Sequence, residues 1–183
     1  MMTDPTQPHR DAMILIPYDG STDAQAAIDD VAQLMPGARA TVLTVWVPFM
    51  DSLARTASPG MGLGMLGSYE YAESEGIDTA NRAAALATAT QGARRATAAG
   101  LVARPRAQRC SGDVAGTIGE VAAELDPGLI ALGTRGLSGV KALLLGSVSH
   151  AVVQHTDRPV LVVPTPATAR RRSHRAGHDA APA

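Results

Sequence analysis

The sequence is poor in the residues that build disulfide scaffolds, zinc sites and nucleic-acid surfaces. Its 183 residues include a single cysteine, Cys110, which excludes an internal disulfide and a cysteine-based zinc site. Aromatic residues make up 3% of the chain, and the formal net charge of -1 gives no reason to expect nucleic acid as a partner. A lone cysteine suits a reducing compartment, so we expect a cytoplasmic protein.

Long apolar runs are missing as well. Residues 1–10 lack the apolar core of a signal peptide. No run elsewhere approaches the length of a membrane span, so we expect no membrane association. A chain of this length suggests a single domain that can bury a sizeable core.

The sequence does contain short apolar runs that alternate with helix-like segments. Met13–Ile16 indicates a buried strand, Ser21 begins a helix that ends at Pro36-Gly37, and residues 40–47 indicate a second strand. This βαβ unit predicts parallel strands with a right-handed crossover. Further elements are predicted as helix 78–99, strand 101–108, helix 113–125, strand 128–132, helix 147–155 and strand 159–163. The predicted fold is α/β: an open five-stranded parallel sheet with helices on both faces, of the Rossmann-like kind.

Three segments outside these elements are expected to be irregular. Residues 1–10 predict a flexible N-terminal tail, 165–183 a disordered C-terminal tail, and 48–77 a flexible insertion within a domain that spans 11–164. Gly62–Gly67 in the insertion matches the dinucleotide fingerprint G-x-G-x-x-G, but no strand precedes it. We interpret it as a loop, which leaves a dehydrogenase as the weaker alternative.

A glycine-rich stretch follows the fourth predicted strand, with glycines at 133, 136 and 146 and a serine at 147. Glycine lets the backbone approach an anion closely, and consecutive N–H groups in a tight turn bind anions. A helix that begins near Ser147 would direct its positive end at the same place. The spacing differs from that of the common phosphate loop, which needs Gly-Lys-Ser/Thr after four residues. The stretch therefore predicts a phosphate site, most simply that of a nucleotide.

The spacing Gly-x2-Gly-x9-Gly-Ser resembles the ATP-binding signature of the universal stress protein family. Ile14–Ser21 resembles the family's opening strand and turn, Val42–Val45 its second strand, and Arg158–Pro164 its closing strand. The resemblance spans residues 11–164. It implies a nucleotide-dependent regulator of the stress or energy response that binds ATP, which could carry Mg²⁺, and that forms a homodimer.

The resemblance also implies which residues form the site. They lie at predicted strand ends or in the glycine-rich stretch: Pro17, Asp19, Val45, Gly133, Arg135, Gly136, Gly146, Ser147 and Val148. Asp19 would bond adenine or ribose, the backbone of Val45 would contact adenine, and Arg135 would pair with the phosphates. The family often has His where this chain has Thr44. Strand ends of a parallel sheet converge at one edge, so separated segments would meet in one cleft.

Each of these residues also has an ordinary structural interpretation. Asp19 could be a turn residue, Ser147 a helix cap and Arg135 a solvated side chain. Because no positioned base, Walker lysine or Gly-x-Ser-x-Gly motif is found, we expect no enzyme. A slow ATP-hydrolysing enzyme and a nucleotide-free interaction module remain alternatives. The apolar run 160–163 would lie on an edge strand, which predicts dimerisation through this last strand.

Overall fold

The computed structural model describes residues 13–56, 71–134 and 145–164. The elements in chain order are β1 (Met13–Pro17), α1 (Thr22–Leu34), β2 (Arg39–Trp46), α2 (Phe49–Thr56), α3 (Tyr71–Ala98), β3 (Val102–Arg109), α4 (Val114–Leu125), β4 (Leu129–Gly133), α5 (Ser147–His155) and β5 (Val160–Val163). Strands and helices alternate, except that α2 and α3 follow β2 in succession.

The strands form one sheet in the order β3-β2-β1-β4-β5, and every neighbouring pair is parallel. The predicted open five-stranded parallel sheet is confirmed. The strand order reverses beside β1, because β2 and β3 extend the sheet on one side while β4 and β5 extend it on the other. The two strands predicted at edges, β3 and β5, lie there, and an edge position lets β3 accommodate Pro105.

Helices cover both faces of the sheet, and each face carries its own apolar core. Ile14 and Ile16 pack with residues of α1 and α3, whereas Leu15 between them packs with residues of α4 and α5. All three side chains are completely buried. Burial on both faces explains why β1 is a continuous apolar run rather than an alternating one.

Two helices begin at the caps that the sequence predicts. The Ser21 hydroxyl accepts the backbone N–H of Ala24 at 3.2 Å, and the Asp113 carboxylate accepts that of Gly116 at 2.9 Å. Each cap satisfies a donor that the first helical turn leaves without a partner. Among the helices that the structure describes, none has the length and hydropathy needed to cross a membrane.

The structure differs from the expected loop over 48–77 at both ends of that range. Residues 49–56 form α2, and α3 begins at Tyr71 rather than near 78. The backbone N–H of Phe49 donates to the Asp78 carboxylate at 2.7 Å, which joins the start of α2 to α3. The rest of the range, 57–70 with the Gly62–Gly67 match, lies outside the described residues, as do the two predicted tails. Their flexibility stays a prediction.

Candidate functional site

A cleft of about 320 Å³ opens at the carboxyl ends of β1, β2 and β4. It is lined by these members of the predicted site: Pro17, Asp19, Val45, Gly133, Gly146, Ser147 and Val148. Arg135 and Gly136 lie outside the described residues. The structure thus brings together three segments that are far apart in the sequence. The volume of the cleft is at the lower end of the range of small-molecule pockets, roughly 300–1,000 Å³.

The cleft follows from the strand order. The chain leaves β1 for α1 on one face of the sheet and leaves β4 for α5 on the opposite face. Since β1 and β4 are neighbours, the two connections diverge and leave a crevice between them. The fold therefore creates the cleft before any side chain is considered.

Asp19 is both a turn residue and part of the lining of the cleft. One carboxylate oxygen accepts the backbone N–H of Ser21 at 3.0 Å, and the intervening Gly20 has φ +85°. This is the turn that an Asp-Gly pair favours. Asp19 also lines the cleft. A carboxylate can accept several hydrogen bonds.

Thr44 fixes the end of β2 against the end of β1. Its buried hydroxyl donates to the carbonyl oxygen of Tyr18 at 2.8 Å, and the Tyr18 N–H donates to the Leu43 carbonyl at 2.7 Å. Thr44 stands where the family often has His, and the Thr44 hydroxyl proton is donated to a carbonyl of the protein itself. The neighbouring Val45 is thereby held at the wall of the cleft.

Tyr18 holds α3 close to the same strand end. A Cβ at Gly92 of α3 would lie 2.8 Å from the Tyr18 ring and 2.8 Å from Val42, so only glycine allows this approach. The Tyr18 side chain is buried, and burial raises the pKa of its phenol. Arg95, which lies near it, opposes that shift. The phenol is therefore neutral at physiological pH.

Sequence reasoning missed an apolar wall of the cleft. Val114 and Ile118 of α4 line it together with Leu132 of β4 and Ala24 of α1. An apolar wall suits a flat heterocycle, because such surfaces gain from removal from water. The signal that could have revealed it is topological: α4 begins directly after the carboxyl end of β3, at the same edge of the sheet.

The N-terminus of α5 forms the polar end of the cleft. Gly146 precedes the helix and makes no side-chain cap, and the first helical bond runs from the His150 N–H to the Gly146 carbonyl. The Gly146 N–H donates instead to the Thr134 carbonyl at 2.6 Å. Gly146, Ser147 and Val148 are predicted to bind an anion through their N–H groups. Of these, only the N–H groups of Ser147 and Val148 are left without a partner by the helix.

Gly133 owes its lack of a side chain to packing against α1. A Cβ at this position would lie 2.5 Å from the Asp23 carbonyl carbon and 2.6 Å from its oxygen. The close approach is to protein backbone, whereas the sequence-based interpretation assigned it to a phosphate. The Gly133 carbonyl in turn accepts the Ser149 hydroxyl at 2.7 Å, which joins β4 to α5.

A metal ion in the described part of the chain would need a group of side chains that could hold it. Within 13–56, 71–134 and 145–164, no group of three or more His, Cys, Asp and Glu side chains is placed to hold a metal ion. His150 on α5 is exposed.

Comparison with known proteins decides the family. The sequence profile described as the universal stress protein family matches residues 13–164. The chain belongs to the universal stress protein family. A universal stress protein of Thermus aquaticus is 34% identical over 152 residues, which cover 82% of this chain and 96% of that protein. The family that the sequence resembles is therefore confirmed.

Solved structures of the family share the fold. The universal stress protein UspA of Lactobacillus plantarum is 24% identical, with a TM-score of 0.61, over 84% of this chain and 98% of that one. A family protein of Arabidopsis thaliana, solved with AMP bound, is 17% identical, with a TM-score of 0.53, over 84% and 91%. At these identities the similarity establishes the fold alone.

Proposed function

We propose that this universal stress protein binds an adenine nucleotide, and specifically ATP, in the cleft at the carboxyl ends of β1, β2 and β4. The observation that carries the proposal is the meeting of three distant segments at one place. Asp19 supplies a carboxylate, Val45 a strand-end backbone and Ser147 the start of a helix, and all three line the same cleft. A charged acceptor, an apolar wall and backbone donors are the parts that a nucleotide requires.

The nucleoside would occupy the apolar part of the cleft. Val114, Ile118 and Leu132 offer a surface for the base, and Val45 offers backbone groups beside it. Asp19 lies at the end of the neighbouring strand, where its carboxylate could accept a hydrogen bond from ribose or adenine. This arrangement favours a nucleoside over a bare phosphate ion.

The phosphates would lie at the N-terminus of α5. The N–H groups of Ser147 and Val148 point out of the first turn, and the helix dipole favours negative charge there. Arg135 and Gly136 are proposed to complete this end. Because the described residues form no ready metal cluster, Mg²⁺ would enter with the triphosphate rather than at a site of its own.

A solved relative supports the choice of ligand. The Arabidopsis thaliana structure holds AMP, so this fold is able to accommodate an adenine nucleotide. We propose a regulatory rather than an enzymatic role for this chain. Ser147 and His150 are both exposed and lie on one face of α5, but no described contact activates the serine or orients the histidine.

We also propose that the protein is a homodimer through β5. This strand lies at the edge of the sheet, and Val160, Leu161 and Val162 are only half-buried. The exposed side chain of Val153 on the preceding helix adds apolar surface, since it is 44% exposed. Apolar edge strands pair readily with a second copy.

The nucleotide content of the purified protein tests the proposed function. The protein is denatured, and the released small molecules are separated by ion-pair chromatography and then identified by mass. We expect an adenine nucleotide, or, if the protein is purified empty, calorimetric binding of added ATP. A protein that neither retains an adenine nucleotide nor binds ATP or AMP would refute the proposal.

A further inference from the structure

Behind the wall of the cleft, a buried hydrogen bond joins α1 to the end of β4. The Thr134 hydroxyl donates to the Asp23 carboxylate at 2.5 Å. Asp23 is 7% exposed and Thr134 is 1% exposed. A buried carboxylate is costly unless it is hydrogen-bonded, so this contact constrains both residues. Asp23 lies in the first turn of α1, where the helix dipole favours its negative charge.

Thr134 begins the connection between β4 and α5, and it also binds the end of that connection. Its N–H donates to the Val163 carbonyl of β5 at 3.0 Å, and its own carbonyl accepts the Gly146 N–H at 2.6 Å. Its hydroxyl binds Asp23. Every polar group of this residue is therefore engaged, and one of them holds the residue immediately before α5.

Asp23 restrains this point in two ways. Its backbone leaves no space for a side chain at Gly133, because a Cβ there would lie 2.5 Å away. Its side chain holds Thr134, the next residue. The first turn of α1 is therefore fitted against the last residue of β4 and the residue that follows it.

Neither Asp23 nor Thr134 is among the described residues that line the cleft. The hydroxyl contact of the pair reaches a ligand through the residues that Thr134 holds. The shortest route is the bond from Gly146 to Thr134, since Gly146 is followed directly by Ser147 and Val148 of α5. These two residues carry the N–H groups that face the polar end of the cleft.

We infer that Asp23, acting through Thr134, is a positioning residue that sets the N-terminus of α5 for the phosphates of the ligand. The inference rests on the proposed function, since it concerns the phosphate half of the same cleft. Loss of the buried contact should weaken phosphate binding and spare the nucleoside half. It should also loosen the first turn of α5 when no ligand is present.

Calorimetry with two ligands tests the inference. ATP reports both halves of the cleft, and adenosine reports the nucleoside half alone. We expect Thr134→Val and Asp23→Ala to weaken ATP binding by up to about tenfold, because a displaced N-terminus of α5 would bind the phosphates less well. Adenosine affinity should change much less, so the preference for ATP over adenosine falls. Thr134→Ser and Asp23→Asn keep a donor and an acceptor and should restore the preference.

Thr44→Val is the matched control. Thr44 is also a buried threonine, and its hydroxyl also donates to an oxygen, the Tyr18 carbonyl at 2.8 Å. It lies at the nucleoside end of the cleft. Loss of the Thr44 hydroxyl should lower stability without lowering the preference for ATP over adenosine. An unchanged preference in Thr134→Val, or an equal fall in Thr44→Val, would overturn the inference.

Amide hydrogen exchange without nucleotide separates this inference from the proposed function. We expect Thr134→Val to speed exchange in the first turns of α5, relative to wild type and to Thr44→Val. Unchanged exchange there would overturn the positioning role even if ATP binds normally. If wild type binds neither ATP nor adenosine, the proposed function fails and the phosphate role falls with it. Should Thr134→Val not fold, the comparison of Asp23→Asn with Asp23→Ala decides the matter by the same two readouts.

Discussion

The Thr134 hydroxyl lies 2.5 Å from a carboxylate oxygen of Asp23, although the two residues are 111 positions apart in the sequence. The contact spans the place where the strand order reverses, because Asp23 follows β1 and Thr134 follows β4. It therefore joins the two halves of the sheet immediately behind the cleft. The cleft lies between the connections that follow β1 and β4, and a hydrogen bond between these connections helps to keep its walls at a fixed distance.

Gly133→Ala should destabilise the protein. The new Cβ would lie 2.5 Å from the Asp23 backbone, and backbone cannot move aside as a flexible side chain can. Overpacking of this kind costs about 1–3 kcal/mol. Gly76→Ala is the control, because nothing lies within 4 Å of its Cβ position and alanine favours the helix. Thermal denaturation should show a lower Tm for the first variant only, and equal Tm values would contradict the packing role.

Asp19→Ala should weaken nucleoside recognition. Removal of a charge-assisted acceptor costs about 1.5–3 kcal/mol, which corresponds to roughly a ten- to hundredfold loss of ATP affinity. Inorganic triphosphate should bind the variant as it binds wild type. Asp78→Ala removes a comparable carboxylate–backbone bond, the one accepted from the Phe49 N–H, and neither residue lines the cleft, so ATP affinity should stay unchanged. If the affinity for triphosphate fell as far as the affinity for ATP, Asp19 would not be recognising the nucleoside.

Val162→Asp should disrupt the proposed dimer. Val162 lies in the middle of β5 at one edge of the sheet and is half-buried in the single chain. A carboxylate buried between two apolar strands would lack a partner. Val102→Asp places the same charge on β3 at the opposite edge, where the side chain is 64% exposed, and should leave the dimer intact. Light scattering measures the molar mass of each variant. If Val162→Asp still forms an unaltered dimer, the interface does not involve β5.

Glu124→Gln should alter how stability depends on pH. The Arg106 guanidinium lies 2.6 Å from the Glu124 carboxylate, and this hydrogen bond holds the pKa of Glu124 below its ordinary value. A lowered carboxyl pKa contributes stability above the unfolded-state pKa, and that stability is lost as the pH falls through the folded-state pKa. Wild type should thus be the more stable protein at neutral pH, and the difference should vanish in acid.

Urea unfolding at a series of pH values measures this difference. The same substitution in an Arg106→Gln background serves as the control, since the ion pair is then already absent. There, Glu124→Gln should have little effect at any pH. A difference that persists in acid, or one that survives without Arg106, would show that the ion pair is not its source.

Much of the fold could be predicted from the sequence because burial leaves a pattern there. Ile14, Leu15 and Ile16 are all buried and give the apolar run of β1. The early start of α3 was missed for the converse reason. Residues 74–84 contain no buried side chain, so that part of the helix needs no apolar stripe and shows none.

The site could be predicted in part. Asp19, Val45 and Ser147 meet in one cleft because strand ends converge, which is a rule of topology. The apolar wall from α4 was missed although the same rule indicates it, because α4 begins after the carboxyl end of β3. The bond between Asp23 and Thr134 could not be predicted in this way, because it depends on how α1 packs against the sheet and no local pattern of residues records such a distance. For the same reason, the packing role of Gly133 became visible only in three dimensions.

ATP titration of wild type and Ser147→Pro by calorimetry tests the central claim most directly. Ser147 is the first residue of α5, a position that suits proline, and the preceding Gly146 is extended (φ -68°, ψ 159°), as a residue before proline should be. The substitution thus removes an N–H group that is proposed to bind the phosphates, and it keeps the helix. Thr22→Pro at the first residue of α1 is the control, because Ser21 before it has the same extended backbone. We predict that wild type and Thr22→Pro bind ATP alike and that Ser147→Pro binds about tenfold or more weakly. Equal affinity in all three proteins, or no binding by wild type, would contradict a nucleotide site at the N-terminus of α5.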